Sequence, residues 1–325
     1  MLIIPYDIPY FNSLKKNLSF FGHHTSDTKR RYCILFYVVK CAIMSKSVSA
    51  RWNMGKIKLI GVDLDGTVLD SKRQISHENI EIFAECKSRG IHIVPVTGRP
   101  YSGLFDEYKK AINCDYSIHT NGAVVIKVQS GDRIISHSIA QSKALELMHI
   151  LSDFDCHYGI FHNDYGYLGA RDYALELEKY KGTPLHRYVL QTRRPVESQH
   201  NFIRTIDCCD NIYAIATSTP ERERIRAAID DVEDIFYTCS EDVDVEIGGK
   251  CSKGSTLIEL GQMLGIDRSE IMAIGDSGND LSMLESAGIA VAMENASQSI
   301  KNAADFVTKS CDESGVAHAI KTLVL

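Results

Sequence analysis

The chain contains no Cys-x-x-Cys pair, no His-Glu-x-x-His helix motif, no Gly-x-Ser-x-Gly elbow, and no repeat or low-complexity tract. These absences argue against a zinc knuckle or thioredoxin-type redox centre, a zinc protease, a serine-hydrolase nucleophile turn and a solenoid. Basic residues form no dominant block and the formal net charge is −6, so neither a nucleic-acid nor a membrane-surface partner is indicated. The ten cysteines are scattered through apolar, strand-like contexts, the pattern of buried thiols in a reducing compartment, and a cytoplasmic location is expected. Of these, Cys208-Cys209 and Cys251 read as bystanders; the alternative for Cys251, two residues before Lys253, is a thiol whose oxidation would affect activity. The apolar run from Cys33 to Met44 is interrupted by Lys40 and is shorter than the roughly 20 residues that span a bilayer. Its basic neighbours Lys29-Arg30-Arg31 come too late for a secretory leader. Residues 1–54 therefore read as a weakly ordered extension or the product of an upstream start, with Met44 or Met54 opening the working protein. A targeting or anchoring role is the alternative.

What is present is an ordinary globular composition, 44% hydrophobic and 24% charged, over 325 residues, enough for two domains. From Lys56, buried-strand and helix patterns alternate. Leu59-Ile-Gly-Val62 reads as a strand buried on both faces; Ser76 caps a helix; Ile91–Val96 is a second strand. A helix from Tyr101 to Ala111 and a strand over Tyr116–His119 follow, then a hairpin from Val124 to His137. This alternation predicts a doubly wound parallel sheet over residues 55–138. Residues 139–247 change character, with adjacent strands and helices between them, and predict an inserted α+β domain. In that insert, His162, Asn163, Tyr165 and Arg171 are polar or aromatic near strand ends, whereas His186–Asn201, with Arg193-Arg194-Pro195, reads as a variable loop. Residues 248–325 return to the α/β pattern and complete the sheet domain.

Four strand ends carry polar groups: Asp63/Asp65, Thr97-Gly98, Asn121-Gly122 and Asp276/Asn279/Asp280. Ligands in open α/β sheets bind beyond the carboxyl ends of the strands. Clustered acids there repel one another and call for a cation or a shared proton. A calcium loop is excluded, because Val68 stands where its glycine belongs. Thr97 offers a hydroxyl, Gly98 a close backbone approach and Lys253 a positive charge. Together these supply the components of phosphoryl transfer: nucleophile, acid/base, anion clamp and metal.

Asp63-Leu-Asp-Gly-Thr67, Thr97-Gly-Arg-Pro100, Asn121-Gly-Ala123, Ser252-Lys-Gly254, Gly275-Asp-Ser-Gly-Asn-Asp280 and Gly315-Val-Ala317 stand in the order found in haloacid dehalogenase superfamily phosphatases. The chain from Lys56 onward resembles their Cof-type branch, which includes the YidA-like sugar phosphatases. That resemblance implies a Rossmann-like core with an inserted α+β cap of the C2 type. It also implies Mg²⁺-dependent hydrolysis of a small phosphorylated metabolite through an aspartyl-phosphate. By the same resemblance Asp63 is the nucleophile and Asp65 the acid/base. Leu64, Thr97, Gly98, Asn121, Gly122, Lys253 and Asn279 contact the phosphoryl group or substrate. Asp63, the Asp65 carbonyl and Asp276 hold the metal, with Asp280 supporting them. The alternatives are a phosphosugar mutase on the same core and a module phosphorylated on aspartate as a signal; a non-catalytic binding protein is disfavoured by the complete set of side chains.

Overall fold

Leu59-Ile-Gly-Val62 forms β1 and is wholly buried, as a strand covered on both faces must be. The computed structural model describes residues 57–240 and 242–325; the extension expected over residues 1–54 lies outside them. Next come α1 (His77–Ser88), β2 (His92–Pro95), α2 (Asp106–Ile112), β3 (Tyr116–His119), β4 (Val124–Lys127) and β5 (Asp132–Ser136). The Ser76 hydroxyl caps α1 by accepting from the Asn79 amide. The helix expected from Tyr101 is divided: a 3-10 turn over Tyr101–Gly103 ends at Leu104, and Phe105 in extended backbone starts α2 afresh.

The insert contains β6 (Ile139–Ala140), α3 (Gln141–Leu151), β7 (Cys156–His162), β8 (Tyr165–Gly169), α4 (Ala170–Lys179), α5 (Pro184–Thr192), β9 (Arg193–Val196) and α6 (Gln199–Ile203). It continues through β10 (Cys208–Cys209), β11 (Asn211–Ala216), α7 (Thr219–Ile229), β12 (Ile235–Thr238) and β13 (Asp244–Gly249). The loop expected over His186–Asn201 is in fact ordered as α5, β9 and α6. Pro184 opens α5, where its missing N–H costs nothing, and Leu185, Tyr188, Val189 and Thr192 make one inward stripe. The chain ends with α8 (Lys253–Met263), β14 (Ile271–Gly275), α9 (Leu281–Ser286), β15 (Ile289–Ala292), α10 (Gln298–Ala303), β16 (Phe306–Val307) and α11 (Gly315–Leu323).

The strands of the first domain lie in the order β16-β15-β14-β1-β2, all parallel, and a parallel bridge from Val96 to Ile118 brings β3 alongside. β4 and β5 add antiparallel to β3. Leu59, Val94, Ile118, Leu257 and Ile271 share one apolar core there. The insert forms a second sheet, β12-β13-β11-β7-β8-β9, with a separate core. Side chains alternate across its strands. Ile160, Ile212 and Val245 pack with Leu147 of α3 and Ile225 of α7 on one face, while Phe161 and Tyr213 turn to the other. That other face covers the C-terminal ends of the parallel strands.

Cap and core are joined by side chains as well as by chain. Arg133 pairs with Asp210 at 2.8 Å and with Asp164 at 2.7 Å, and Arg187 pairs with Glu107 at 2.5 Å. The two connecting segments run against each other: a Cβ at Gly249 would lie 2.7 Å from the His137 carbonyl oxygen. The eight described cysteines are all free. Burial pushes the Cys251 thiol up to about 12, in keeping with a bystander. Among the described residues no helix is long and apolar enough to cross a membrane.

Candidate active site

The chain leaves β1 at Asp63, whose amide extends the ladder by donating to the Ile274 carbonyl at 3.0 Å. It then reverses at Gly66, where φ is +81° and a Cβ would lie 2.5 Å from Asp276 Oδ2. Glycine therefore permits both the turn and the approach of the Asp276 carboxylate. Thr67 Oγ1 secures that carboxylate by donating to Oδ1 at 2.7 Å. From the far side Lys253, the first residue of α8, donates Nζ to Asp63 Oδ1 and Asp280 Oδ1, both at 2.7 Å. Asp280 uses its second oxygen to accept from the amides of Asp276 and Ser277, at 2.9 and 3.0 Å.

These contacts set the charges. Burial and then the neighbouring Asp280 hold the Asp63 carboxyl well above the usual range, against the pull of Lys253. Asp276 is pushed up to about 6, by burial first and Asp280 second, against its bond from Thr67. Burial opposes the charge on Lys253, yet Asp280 and Asp63 outweigh it and keep the ammonium protonated. One oxygen each of Asp63, Asp276 and Asp280 lies within 4.8 Å of the others. Asp280 is wholly buried behind Lys253, whereas Asp63 and Asp276 line the cavity, so these two are the pair presented to a cation. An all-oxygen set whose members repel one another fits a hard divalent ion.

Asp65 lies beyond the strand and turns the other way. Its carboxylate accepts from Arg99 Nε at 2.7 Å and Nη2 at 2.5 Å, and from Arg73 Nη1 at 2.6 Å. Burial would raise its carboxyl, but the Arg99 charge and hydrogen bonds, aided by Arg73, hold it below the usual carboxylate range. Sequence reasoning left both arginines without a role. Arg99 directly follows Thr97-Gly98, and that adjacency was the available signal. Its guanidinium also lies 5.0 Å from the Tyr188 ring of the cap.

Thr97, at the end of β2, is 1% exposed, and its Oγ1 accepts from the Arg99 amide at 3.1 Å. Asp63, Asp65, Thr97, Gly98, Asp276 and Asn279 line a cavity of about 480 Å³. A neighbouring groove of about 560 Å³, on the far side of Arg99, holds none of the strand-end carboxylates. Asn121 lies behind the cavity wall: its Oδ1 accepts from Asn279 at 3.2 Å, and its Nδ2 donates to Glu246 of the cap at 2.8 Å. The Gly122 carbonyl accepts from Thr256 Oγ1 at 2.8 Å, tying this turn to α8. Leu64 is fully buried and does not line the cavity.

The cap closes the cavity with Phe161, Glu176, Tyr188, Arg193, Tyr213 and Glu246. None of His162, Asn163, Tyr165 or Arg171 takes part. His162 and Asn163 bond each other at 2.9 Å, and Tyr165 stacks under Arg194 at 4.0 Å. His162, Asn163 and Tyr165 sit at the β7–β8 turn and Arg171 in the first turn of α4, away from the sheet face that meets the site. Glu246 reaches so far that a Cβ at Gly98 would lie 3.2 Å from its Oε1. Burial raises the Glu246 carboxyl, helped by Asp244 and opposed by its bonds from Asn121 and Ser240.

Residues 60–320 match the family model described as haloacid dehalogenase-like hydrolase. Phosphatase YwpJ of Bacillus subtilis is 31% identical, over 82% of this chain and 100% of its own. The 5-amino-6-(5-phospho-D-ribitylamino)uracil phosphatase YwtE of the same organism is 30% identical, over 82% and 98%. A solved haloacid dehalogenase-like hydrolase from Bacillus subtilis superposes with a TM-score of 0.72 at 30% identity, covering 82% of this chain and 100% of that one.

Proposed function

The chain belongs to the haloacid dehalogenase-like hydrolase family and is a phosphatase, and we propose that it hydrolyses small phosphate monoesters, sugar or polyol phosphates among them, with Mg²⁺ and through a phosphoryl group carried on Asp63. The observation that carries this reading is the buried Asp63–Lys253–Asp280 chain beside Asp276, facing Thr97 and Gly98 across one cavity. YwtE, by its name, acts on a phosphorylated ribityl compound, which is a precedent for a polyol leaving group.

In this mechanism the substrate phosphoryl group lies between Asp63 and the Thr97-Gly98 turn. The Thr97 hydroxyl and the Gly98 amide hold its oxygens, and Lys253 offsets their charge. A divalent cation on Asp63 and Asp276 would supply the remaining positive charge and keep Asp63 ionised. An Asp63 oxygen attacks phosphorus, the ester bond breaks and the leaving oxygen takes a proton from Asp65. Water then attacks the aspartyl-phosphate, giving its proton to Asp65, and inorganic phosphate departs. Asp65 is stored as a carboxylate by Arg99 and Arg73, so its protonation goes with the exchange of those contacts for substrate. The mutase and signalling alternatives are not favoured, since these relatives are named as phosphatases.

Release of phosphate from p-nitrophenyl phosphate, with Mg²⁺ and with EDTA, beside Asp63→Asn, tests the proposal. Activity lost in both treatments is expected; activity surviving both overturns it.

A further inference from the structure

The cap wall of the cavity holds a charged pair that the mechanism leaves unused. Arg193 opens β9 and is 8% exposed. Its guanidinium is caged by three rings, 4.8 Å from the centroid of Phe161, 5.0 Å from Tyr213 and 5.2 Å from Tyr188. Nη1 donates to Thr192 Oγ1 at 3.1 Å, but Nε has no hydrogen-bond partner among the described residues. The carboxylate facing it is Glu176, 7% exposed, whose Oε2 stands 3.9 Å from Nε, too far for a hydrogen bond. Glu176 Oε1 accepts a long bond, 3.4 Å, from Tyr213 Oη. A buried N–H left unmet is costly, and both groups line the same cavity as Asp63.

We propose that Arg193 and Glu176 form a distal subsite that selects a hydroxyl group on the substrate's leaving portion, which makes the preferred substrate a phosphorylated polyol or sugar. The inference rests on the phosphatase reading and refines it. A hydroxyl oxygen beside the gap accepts from Arg193 Nε–H and donates to Glu176, meeting both groups at about 2.8–3.0 Å. A carboxylate or second phosphate meets the Glu176 charge, and a purely hydrocarbon group leaves Arg193 Nε unmet. The aromatic rings supply apolar faces for the C–H surface of the same carbon skeleton.

The test compares kcat/KM for sorbitol 6-phosphate and ribitol 5-phosphate with that for phenyl phosphate, which has no hydroxyl, and 3-phosphoglycerate, which has a carboxylate. Wild type, Arg193→Met and the isosteric Glu176→Gln are measured with Mg²⁺. In wild type at least one polyol phosphate outpaces the other two esters. In both variants the polyol-to-phenyl ratio falls by about tenfold or more, mainly through KM. In Glu176→Gln, 3-phosphoglycerate gains relative to the polyols. Equal losses on every ester, or an unchanged polyol-to-phenyl ratio in Glu176→Gln, would overturn the subsite. Wild type inert on all four esters, phenyl phosphate included, would instead bring down the phosphatase reading and the subsite with it.

Discussion

The ammonium of Lys253 lies 2.7 Å from a carboxylate oxygen of Asp63, a residue 190 positions earlier in the chain. It does so at the first residue of a helix, the end whose dipole repels a cation, and with no exposure to solvent. Only the carboxylates around it make that position tolerable, and it does the same for them.

Replacing Lys253 by Met should therefore damage both stability and chemistry. It leaves Asp63, Asp276 and Asp280 buried without their shared cation, at about 3 kcal/mol, and should cut kcat by about 10²–10³. Added Mg²⁺ should recover part of the melting temperature but not the rate. Thermal melts and steady-state kinetics with and without Mg²⁺ check this; an unchanged melting temperature in the metal-free variant contradicts it.

Arg99→Met should move the pH profile. Arg99 holds the Asp65 carboxyl low, so its removal lets Asp65 titrate at higher pH, with Arg73 left to restrain it. The limb of the kcat/KM profile that reports Asp65 should shift upward. A profile that loses height without shifting would mean that Arg99 acts on binding alone.

Glu246→Gln should stabilise the protein at neutral pH. The folded state holds this carboxyl above its unfolded value, so it binds protons there that the unfolded chain has released, and its ionisation costs stability as pH rises. Gln can still accept from Asn121 and Ser240. The variant should melt higher than wild type at pH 7–8, with the gap closing as pH falls through the carboxylate range. Denaturant melts across that range decide it.

His119 works in the opposite direction. It is 1% exposed, held between the Ser117 hydroxyl and the Arg99 carbonyl, and burial lowers it to about 3. Its contribution is complete above the ordinary histidine value near 6.5 and is lost as pH falls toward the folded value. At pH 5 the loss is about 2 kcal/mol. His119→Gln should be less stable than wild type at pH 7 and lose less between pH 7 and pH 5; parallel losses would exclude His119 as the source.

Most of the core site was readable because Asp63, Thr97 and Asp276 each follow a buried apolar strand, so residue type and strand end together locate them. Lys253, at the start of a helix, was readable only from the Ser252-Lys-Gly254 motif. Asp63, Thr97 and Asp276 meet for that reason, and the first turn of α8 brings Lys253 to them. Side-chain direction was not readable: nothing in Asp63-Leu-Asp65 tells that the second acid turns away to Arg99. In the cap, strand ends are no guide to the site. Strand ends suit a parallel sheet, but an antiparallel sheet offers its face, and alternation governs that. Val245 and Ile247 point to the cap's own core, so Glu246 between them points to the site. Arg193 was hidden by a polar stretch whose helical stripe, Leu185, Tyr188, Val189 and Thr192, went uncounted.

The close contact of Gly249 with the His137 carbonyl fastens the cap along a single seam. A body tethered by two adjoining threads at one edge swings easily and slides with difficulty, because sliding stretches both threads at once. Arg187–Glu107, between α5 and α2, and Asn121–Glu246, made three residues before Gly249 on β13, then act as latches on a door. Each restrains rotation with the leverage of its distance from the seam.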